Sequence, residues 1–288
     1  MRRLPAPTGG KNSGVTASVV SYSETAEQLR GAVISLCNAL VELMKATGPM
    51  PAQLIIVNNR PCKIHAILGS RFIQDTEKQF GFNIAVVEGH GNIGFGKGHN
   101  LVLGDSPRGY HLIMNPDVVV DPMALRNGIS YLNKNPDIGI VSAHATDSEG
   151  SKQNLCKQFP TIFDLFLRGF APEFVKKLFN RRLADYEMRH LSEDDATKGI
   201  PIVSGCFMLC RSEILSKLQG FDPAYFLYFE DFDLSIRAGA ETGIAYLPHM
   251  RIVHFGGNSA KKGLRHLGYF AQSAFRFFNH YGWRWIKR

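Results

Sequence analysis

Short apolar runs alternate with stretches of helical periodicity along the first part of the chain. The apolar runs predict strands over residues 16–22, 54–57, 83–87 and 111–114. Apolar side chains recur at helical spacing over residues 25–46 and 64–79, and a further helix is expected from Gly98. Short strands that alternate with helices form right-handed βαβ units, so the pattern predicts an α/β fold with a mostly parallel central sheet flanked by helices.

Aromatic side chains change the pattern in the second half of the chain. Five phenylalanines are spaced three or four residues apart, as on one face of a helix: Phe159, Phe163, Phe166, Phe170 and Phe174. Pro172 falls inside this stripe and is expected to break the helix. The favoured interpretation is that the stripe packs into the core, and a lid or a membrane-facing element is the alternative.

Length and composition are those of a globular protein. The chain has 288 residues and a mass of 32.0 kDa, and 44% of its residues are hydrophobic, so a sizeable core can be buried. No apolar run approaches the ~20 residues of a membrane-spanning helix. The basic start lacks the apolar stretch of a secretory signal, and residues 1–15 are expected to be a flexible N-terminus. Five cysteines without CxxC spacing indicate reduced thiols in a cytoplasmic protein.

The net charge of +8 lies entirely in the C-terminal segment. Residues 251–288 contain eight basic residues and no acidic one, and eight aromatic side chains lie within residues 269–285. Basic residues interleaved with aromatics suit an anionic membrane surface. Nucleic acid attracts the same charges, and a helical subdomain that packs its aromatics inward is a further alternative. Residues 260–288 are predicted to form a basic, aromatic, helical extension.

Polar residues and glycines follow several predicted strands. Parallel α/β sheets bind ligands beyond the carboxyl ends of their strands, and the segments in that position are Ser21–Ser23, Asn58–Arg60, Gly89–Asn100 and Asn115–Asp117. The alternating glycines of the third segment let the backbone approach a ligand, and the helix that follows offers free N–H groups to an anion. Its spacing matches neither Walker A nor the dinucleotide fingerprint.

A candidate metal site combines two distant residues. Pro116 removes a backbone donor and ends the strand before it, so the Asp117 carboxylate is expected at the sheet edge, where a cation bridging a diphosphate binds. His254 follows a later apolar run. Together they would form a mixed oxygen and nitrogen site suited to Mg²⁺ or Mn²⁺. Taken singly, Asn-Pro-Asp is a common turn and a lone histidine is usually structural.

Three carboxylates lie within four residues of one another after a run of aromatics. Such a cluster is costly unless a cation, a substrate or a helix terminus uses the charge. Asp233 has Arg237 four residues later as a surface ion-pair partner, and Glu230 can stabilise a helix N-terminus. Asp231 has no such partner and is the candidate general base, ionised at an ordinary pKa of about 3.9.

The order of these segments resembles that of the family 2 inverting glycosyltransferases with the GT-A fold, in particular the branch that contains bacterial rhamnosyltransferases. The likeness covers about residues 16–259 and also includes Gly205-Cys-Phe-Met and Gly220-Phe-Asp. It implies a GT-A (Rossmann-like) domain over these residues. The nucleotide-binding half is expected at about 16–120 and the acceptor half at about 121–259.

The resemblance also implies roles for individual residues. Asp231 matches the catalytic base, and Asp117 and His254 match the metal ligands. The family's Asp-x-Asp motif is Asn115-Pro116-Asp117 here, and Asn58 stands where a carboxylate usually receives the nucleotide base. The implied nucleotide-sugar contacts are Ser21, Tyr22, Ser23, Asn58, Asn92, Gly94, Gly96, Asn100, Asn115 and Asp117, and the implied acceptor-side residues are Gly205, Cys206 and Glu230.

The resemblance implies metal-dependent, inverting transfer of a sugar from a nucleoside diphosphate to a hydroxyl group. It favours dTDP-rhamnose as donor, with UDP-hexoses or UDP-N-acetylhexosamines as the alternative. The implied acceptor is a bacterial surface glycan, such as lipopolysaccharide, free or lipid-linked, at the inner face of the plasma membrane. The implied partners include an anionic membrane and no nucleic acid.

Two alternatives come from other classes. A sugar nucleotidyltransferase has a glycine-rich basic loop after its first strand, whereas this chain has acidic, glycine-free residues there. A basic nucleic-acid- or membrane-binding protein without catalysis would explain the C-terminal charge but not the carboxylates at 230–233.

Overall fold

A computed structural model describes residues 14–103, 109–256 and 263–286. Its first four strands are β1 (Gly14–Ser21), β2 (Ala52–Asn58), β3 (Asn83–Val87) and β4 (Gly109–Met114). They pair in parallel in the order β3-β2-β1-β4, which confirms the four predicted apolar runs and the parallel pairing. The predicted flexible N-terminus lies, but for its last two residues, outside the described residues.

The second half of the sheet is mixed. Its strands are β5 (Val118–Val120), β6 (Ile138–Thr146), β7 (Lys152–Gln153), β9 (Thr197–Lys198), β11 (Phe207–Arg211) and β12 (Gly243–His254), while β8 (Cys156–Lys157) and β10 (Ile202–Val203) form a separate pair. Strand β11 runs antiparallel between β4 and β6. Beyond it, β6 and β12 are parallel and β5 is an antiparallel edge strand. Parallel pairing is therefore concentrated in the first four strands.

Helices cover both faces of the sheet, because alternate strand residues are apolar and buried on each side. The helices of the first half are α1 (Ala26–Thr47), α2 (Ile64–Leu68), α3 (Phe72–Phe80), α4 (Phe95–Leu103) and α5 (Ala124–Lys134). Those of the second half are α6 (Ile162–Gly169), α7 (Glu173–Leu178), α8 (Asn180–Tyr186), α9 (Ser212–Lys217), α10 (Glu230–Gly239) and α11 (Leu264–Tyr281).

Helix α1 confirms the strongest predicted helix, and its start is fixed by a capping box between Thr25 and Gln28. The prediction of a single helix over residues 64–79 is wrong, because two helices occupy this range. Gly69 ends α2 at φ +88°, where other residues are strained, and α3 begins three residues later. Helix α4 begins at Phe95, three residues before its predicted start.

The phenylalanine stripe is divided at Pro172, as predicted, since α6 ends before this residue and α7 begins after it. The prediction that the stripe packs into the core is wrong for three of the five rings. Phe166, Phe170 and Phe174 are 50%, 54% and 74% exposed. Helix α6 instead buries its opposite face, with Leu165 and Leu167 inside, and this turns the aromatic face outward.

The C-terminal segment forms α11, and one face of this helix packs behind α10. The buried rings of Phe277 and Phe278 lie 5.1 and 6.5 Å from the ring of Phe229. Phe275 and Trp285 are exposed, so the helix packs part of its aromatics inward and presents the rest. The basic residues at 261, 262, 287 and 288 lie outside the described residues.

All five cysteines lie within the described ranges and are free thiols. Among the residues that the structure describes, no helix has the length and apolar content needed to cross a membrane.

Candidate functional site

A cavity of about 730 Å³ lies beside the second half of the sheet. The loops after β4 and β12, strand β8, helix α6 and the start of α10 contribute to its walls. The structure brings seven of the predicted site residues together here: Asn115, Asp117, Gly205, Cys206, Glu230, Asp231 and His254. A cavity of this size is typical of a small-molecule site.

Strand pairing brings the two predicted metal ligands together. Strands β12 and β5 are antiparallel, with His254 opposite Val118. The Asp117 Oδ1 atom consequently lies 3.6 Å from His254 Nε2. The other ring nitrogen, Nδ1, lies 2.7 Å from Oε1 of Gln153. An amide oxygen accepts a hydrogen bond from Nδ1, and this tautomer presents a metal-binding lone pair on Nε2.

Gly256 keeps the space between these two side chains open. A Cβ atom at this position would lie 2.3 Å from Asp117 Oδ2 and 2.9 Å from His254 Nε2. Asp117 Oδ1 is buried and accepts no hydrogen bond from the described residues. An unpartnered carboxylate oxygen beside an imidazole nitrogen suits Mg²⁺ or Mn²⁺. Among the described residues, no group of three or more His, Cys, Asp or Glu side chains could hold a metal ion.

The first turn of α10 carries two carboxyl groups in different surroundings. Asp231 accepts hydrogen bonds from the Gly205 and Phe232 backbone N–H groups, both at 3.0 Å. Burial raises the pKa of Asp231, and these two bonds oppose the rise. The ordinary pKa expected from the sequence is therefore wrong. Burial and the neighbouring Asp231 raise the pKa of Glu230 further, well above its usual range. Asp231 thus has two N–H donors that favour its charged form, whereas Glu230 Oε2 has no hydrogen-bond partner among the described residues.

Asp233 forms the predicted ion pair with Arg237, whose Nε lies 2.8 Å from Oδ2. The prediction that this ion pair lies at the surface is wrong, because Asp233 is buried. Its carboxylate also accepts a hydrogen bond from the Tyr281 hydroxyl at 2.7 Å. This carboxylate therefore joins α10 to α11.

Two strained residues precede α10. Tyr228 and Phe229 have φ values of +70° and +65°, in the left-handed region that bulky residues rarely adopt. Each such residue costs about 1–3 kcal/mol, and strain of this kind clusters at functional sites. The Phe229 ring packs against Phe270 and Phe277 of α11, which holds this backbone conformation in place. Neither residue type indicates a positive φ value from the sequence.

Most of the predicted nucleotide contacts lie outside the cavity, at the ends of β1–β3 and in α4. Several of their side chains form bonds within the protein. Asn58 donates through Nδ2 to Cys62 O at 2.8 Å and to Glu88 Oε2 at 3.1 Å. Asn100 donates to the Phe221 carbonyl at 2.7 Å and accepts from its N–H at 2.9 Å. Their role in nucleotide binding stays a prediction.

The same applies to the remaining residues of this set. Ser21 donates a hydrogen bond to Glu24, and Asn92 accepts one from the Gly94 N–H at 3.1 Å. Tyr22 is exposed beside them, and Ser23 follows it in the same turn.

The predicted loop glycines have a packing role. Gly94 has φ +92°, and a Cβ atom there would lie 2.2 Å from the Phe226 carbonyl oxygen. At Gly96 a Cβ atom would lie 2.8 Å from Phe221 Cβ. Glycine is needed at both positions because residues 221–226 lie too close for a side chain. Backbone approach to a ligand stays a prediction.

Several charged or polar residues of the cavity wall were not predicted from the sequence, among them Gln153, Lys157 and Arg168. They lie on strands of two residues and on the short helix α6, where no periodicity or motif distinguishes them. Only the tertiary structure places them beside Asp231 and His254.

The family model described as glycosyltransferase-like family 2 matches residues 13–271. The chain belongs to this family. It is 25% identical over 186 residues to N-acetylglucosaminyl-diphospho-decaprenol L-rhamnosyltransferase of Mycobacterium tuberculosis, covering 62% of this chain and 59% of that protein. It is 23% identical over 179 residues to rhamnosyltransferase WbbL of Escherichia coli K12, covering 57% and 62%. The chain thus spans about three fifths of the length of these curated relatives.

Solved structures show the fold. GalNAc-T7 with UDP, GalNAc and Mn²⁺ aligns with a TM-score of 0.59 at 13% identity, over 84% of this chain and 43% of that one. Residues 1–349 of S. aureus TarS in complex with UDP align with a TM-score of 0.53 at 12% identity, over 92% and 72%. These likenesses confirm the GT-A glycosyltransferase fold.

Proposed function

We propose that this protein transfers a sugar from a nucleoside diphosphate to an acceptor hydroxyl, with inversion at the anomeric carbon. One observation carries the proposal. Asp117 and His254, 3.6 Å apart, share a cavity with the buried carboxylate of Asp231. This combination supplies a cation site for a departing diphosphate and a base for an attacking hydroxyl.

Asp231 is the proposed general base. Its raised pKa makes it a stronger proton acceptor than an exposed aspartate, and two backbone N–H donors favour its charged form. The Gly205 and Phe232 N–H groups fix the carboxylate orientation. As the acceptor oxygen attacks the anomeric carbon, its proton passes to Asp231, and the bond to the diphosphate breaks on the opposite face.

Asp117 and His254 would hold Mg²⁺ or Mn²⁺, with Gln153 orienting the imidazole and Gly256 leaving room. When bound, such an ion supplies Lewis-acid stabilisation of the charge that grows on the leaving diphosphate. The unpartnered Asp117 oxygen supports this assignment.

The donor is proposed to be dTDP-rhamnose, since both curated relatives are named as rhamnosyltransferases. UDP-sugars are the alternative, because the aligned structures contain UDP. The acceptor is proposed to be a sugar that is joined to a lipid through a diphosphate, the chemistry printed in the name of the mycobacterial relative.

We also propose contact with an anionic membrane through an exposed aromatic surface. One part of this surface lies on α6 and α7, and the other follows α11. A backbone hydrogen bond joins the two parts, since the Phe163 N–H donates to the Trp285 carbonyl at 3.3 Å. The exposed Lys177 and Arg181 lie on the segment that carries part of it. Aromatic and basic side chains together bind anionic lipid surfaces. We define the exposed aromatic surface as Phe166, Phe170, Phe174, Leu178, Trp283, Trp285 and Ile286.

Vesicle sedimentation with phosphatidylglycerol tests this contact. The Phe170→Ser/Phe174→Ser double variant should bind at least about tenfold more weakly, because two exposed rings no longer enter the interface. Leu101→Ser removes an exposed apolar side chain of α4 and serves as the matched control. Equal binding by the double variant and the parent would contradict the proposal.

A donor screen tests the reaction itself. Nucleoside diphosphate release is measured from dTDP-rhamnose and a panel of UDP-sugars, with Mg²⁺ or Mn²⁺. Asp231→Asn should lower kcat by at least about 10³-fold and leave nucleotide affinity nearly unchanged, because the amide cannot take the proton. Asp137→Asn changes an exposed aspartate and serves as the control. Transfer by Asp231→Asn at the parental rate would refute the assignment.

A further inference from the structure

One wall of the cavity carries a buried cation with no carboxylate partner. Lys157 of β8 is 6% exposed, and its Nζ donates a hydrogen bond to the Asn154 carbonyl. No carboxylate forms an ion pair with this ammonium within the described parts of the chain. Burial of an unpaired charge is costly unless a ligand compensates it.

Arg168 of α6 lines the same wall, and positive charge exceeds negative charge around it. Its Nε lies 3.2 Å from Glu187 Oε1, and the other oxygen of Glu187 lies 2.6 Å from Nη2 of Arg189. One carboxylate is thus shared by two guanidinium groups, with the Lys157 ammonium beside them. The Arg168 side chain is 51% exposed, which leaves its planar fork accessible to an anion.

Three other carboxylates of the cavity have polar neighbours of their own, none of which is Lys157. Asp117 faces His254, and Asp231 accepts the Gly205 and Phe232 N–H groups. Asp147 accepts backbone N–H groups within its own turn. The β8 and α6 wall is therefore a cationic patch inside a cavity that is otherwise rich in carboxylates.

Helix α6 connects this wall to the outside of the protein. Arg168 lies two residues from Phe166 and from Phe170, both of which belong to the exposed aromatic surface. On the other side, Arg168 is close enough to Asp231 to oppose the rise in its pKa that burial causes. The cations are consequently near the proposed base at one end and near the exposed aromatic surface at the other.

We propose that Lys157 and Arg168 bind the phosphate through which the acceptor sugar is attached to its lipid. This inference rests on the proposed glycosyl transfer and adds a subsite for the lipid-linked phosphate or diphosphate of the proposed acceptor. The acceptor hydroxyl then faces Asp231, the phosphate contacts Lys157 and Arg168, and the lipid chain follows the exposed aromatic surface. Arginine binds phosphate oxygens bidentately and lysine binds them as a point charge.

The protonation of Lys157 adds a second readout. Burial lowers its pKa to about 7, and the charge of Arg168 acts in the same direction. The groups that face it also include Arg189, which lowers the pKa, and Glu187 and Cys156, which raise it. Phosphate binds the ammonium form, so affinity for a phosphate-bearing acceptor falls as the pH rises above 7.

Calorimetry with geranyl diphosphate and geraniol, without donor, tests the site. The parent should bind geranyl diphosphate at least tenfold more tightly than geraniol at pH 6.5. Lys157→Gln and Arg168→Gln should each weaken geranyl diphosphate binding at least tenfold and leave UDP affinity, measured with Mg²⁺, within twofold. Arg168 is half-exposed, so its variant keeps the fold. The control Lys198→Gln, which breaks an exposed pair with Asp137, should change neither affinity more than twofold.

Two results would overturn the inference. Equal parental affinity for geranyl diphosphate and geraniol would mean that no phosphate subsite exists. A loss of UDP affinity with unchanged geranyl diphosphate affinity would assign the cations to the donor. Neither depends on turnover, whereas the absence of nucleoside diphosphate release from every donor in the screen would refute the proposed transfer and leave the calorimetric result standing.

Discussion

Two asparagines of the parallel region and two carboxyl groups of the cavity differ in their hydrogen bonding. Asn58 and Asn100, at strand ends or in α4, have their hydrogen-bonding groups paired within the protein. In the cavity, Asp117 Oδ1 and Glu230 Oε2 are buried with no hydrogen-bond partner among the described residues. A buried carboxyl oxygen without a partner costs stability.

The two asparagines therefore contribute to the packing of the fold, whereas the two carboxyl groups are candidates for ligand contact. Satisfied groups add to the stability of the fold, whereas unsatisfied ones persist at sites where a ligand compensates them. Substitutions in the first region should therefore lower the free energy of unfolding, and substitutions in the second should change ligand binding or turnover instead.

Gly94→Ala has the largest expected effect. The new Cβ would lie 2.2 Å from the Phe226 carbonyl oxygen at a φ of +92°, so the free energy of unfolding should fall by about 3 kcal/mol or more. Urea denaturation measures this. Gly268→Ala, where a Cβ meets nothing within 4 Å, should be stable. A stable Gly94→Ala protein with weakened UDP binding would show that this loop serves the ligand, and the comparison would fail.

Asp117→Ala tests the cavity side of the comparison. Affinity for UDP in the presence of Mn²⁺ should fall by about 100-fold, about 2.7 kcal/mol, while urea stability stays close to that of the parent. Calorimetry with and without a chelator measures the metal-dependent part, and Asp137→Ala is the control for removing an aspartate. An affinity that is insensitive to chelator in both parent and variant would remove the metal assignment.

Glu230→Gln should stabilise the fold while lowering turnover. Burial raises the pKa of Glu230, so above pH ~4.3 the unfolded chain gives up this proton before the folded protein does, and stability falls as the pH rises. Glutamine does not titrate, so the variant does not lose this stability. Its free energy of unfolding relative to the parent should increase by up to about 1.4 kcal/mol per pH unit. Urea curves at pH 5, 6 and 7 measure the slope, and parallel slopes in parent and variant would contradict it.

The buried histidines of the parallel region predict the opposite pH dependence. His99 Nδ1 and His111 Nε2 lie 2.7 and 2.8 Å from the Ser18 hydroxyl, and burial lowers both pKa values, that of His111 to about 3. Below pH ~6.5 the unfolded chain binds protons first, so stability should fall by up to about 1.4 kcal/mol per pH unit for each histidine. The loss between pH 7 and 6 should be smaller in His111→Gln. An unchanged slope would exclude His111 as a source.

Apolar periodicity predicted the parallel region well, because β1, β2 and β4 are buried on both faces and α1 repeats its apolar residues over six turns. It failed where a single backbone conformation decides the outcome. Gly69 divides a predicted helix, and α6 turns Phe166 and Phe170 outward because its other face carries the better-packed leucines.

The sequence by itself determined the family, the first four strands and the residue types of the candidate site, since these depend on local order and on motifs. The sequence also predicted that Asp117 meets His254. Only the tertiary structure decided that Gln153 orients this imidazole and that Lys157 lies in the same cavity, with no carboxylate ion pair among the described residues. The physical reason is the separation along the chain of the residues that interact. Periodicity reports neighbours three or four residues apart, whereas strand pairing and burial join residues from distant parts of the chain and set the charge state of what they enclose.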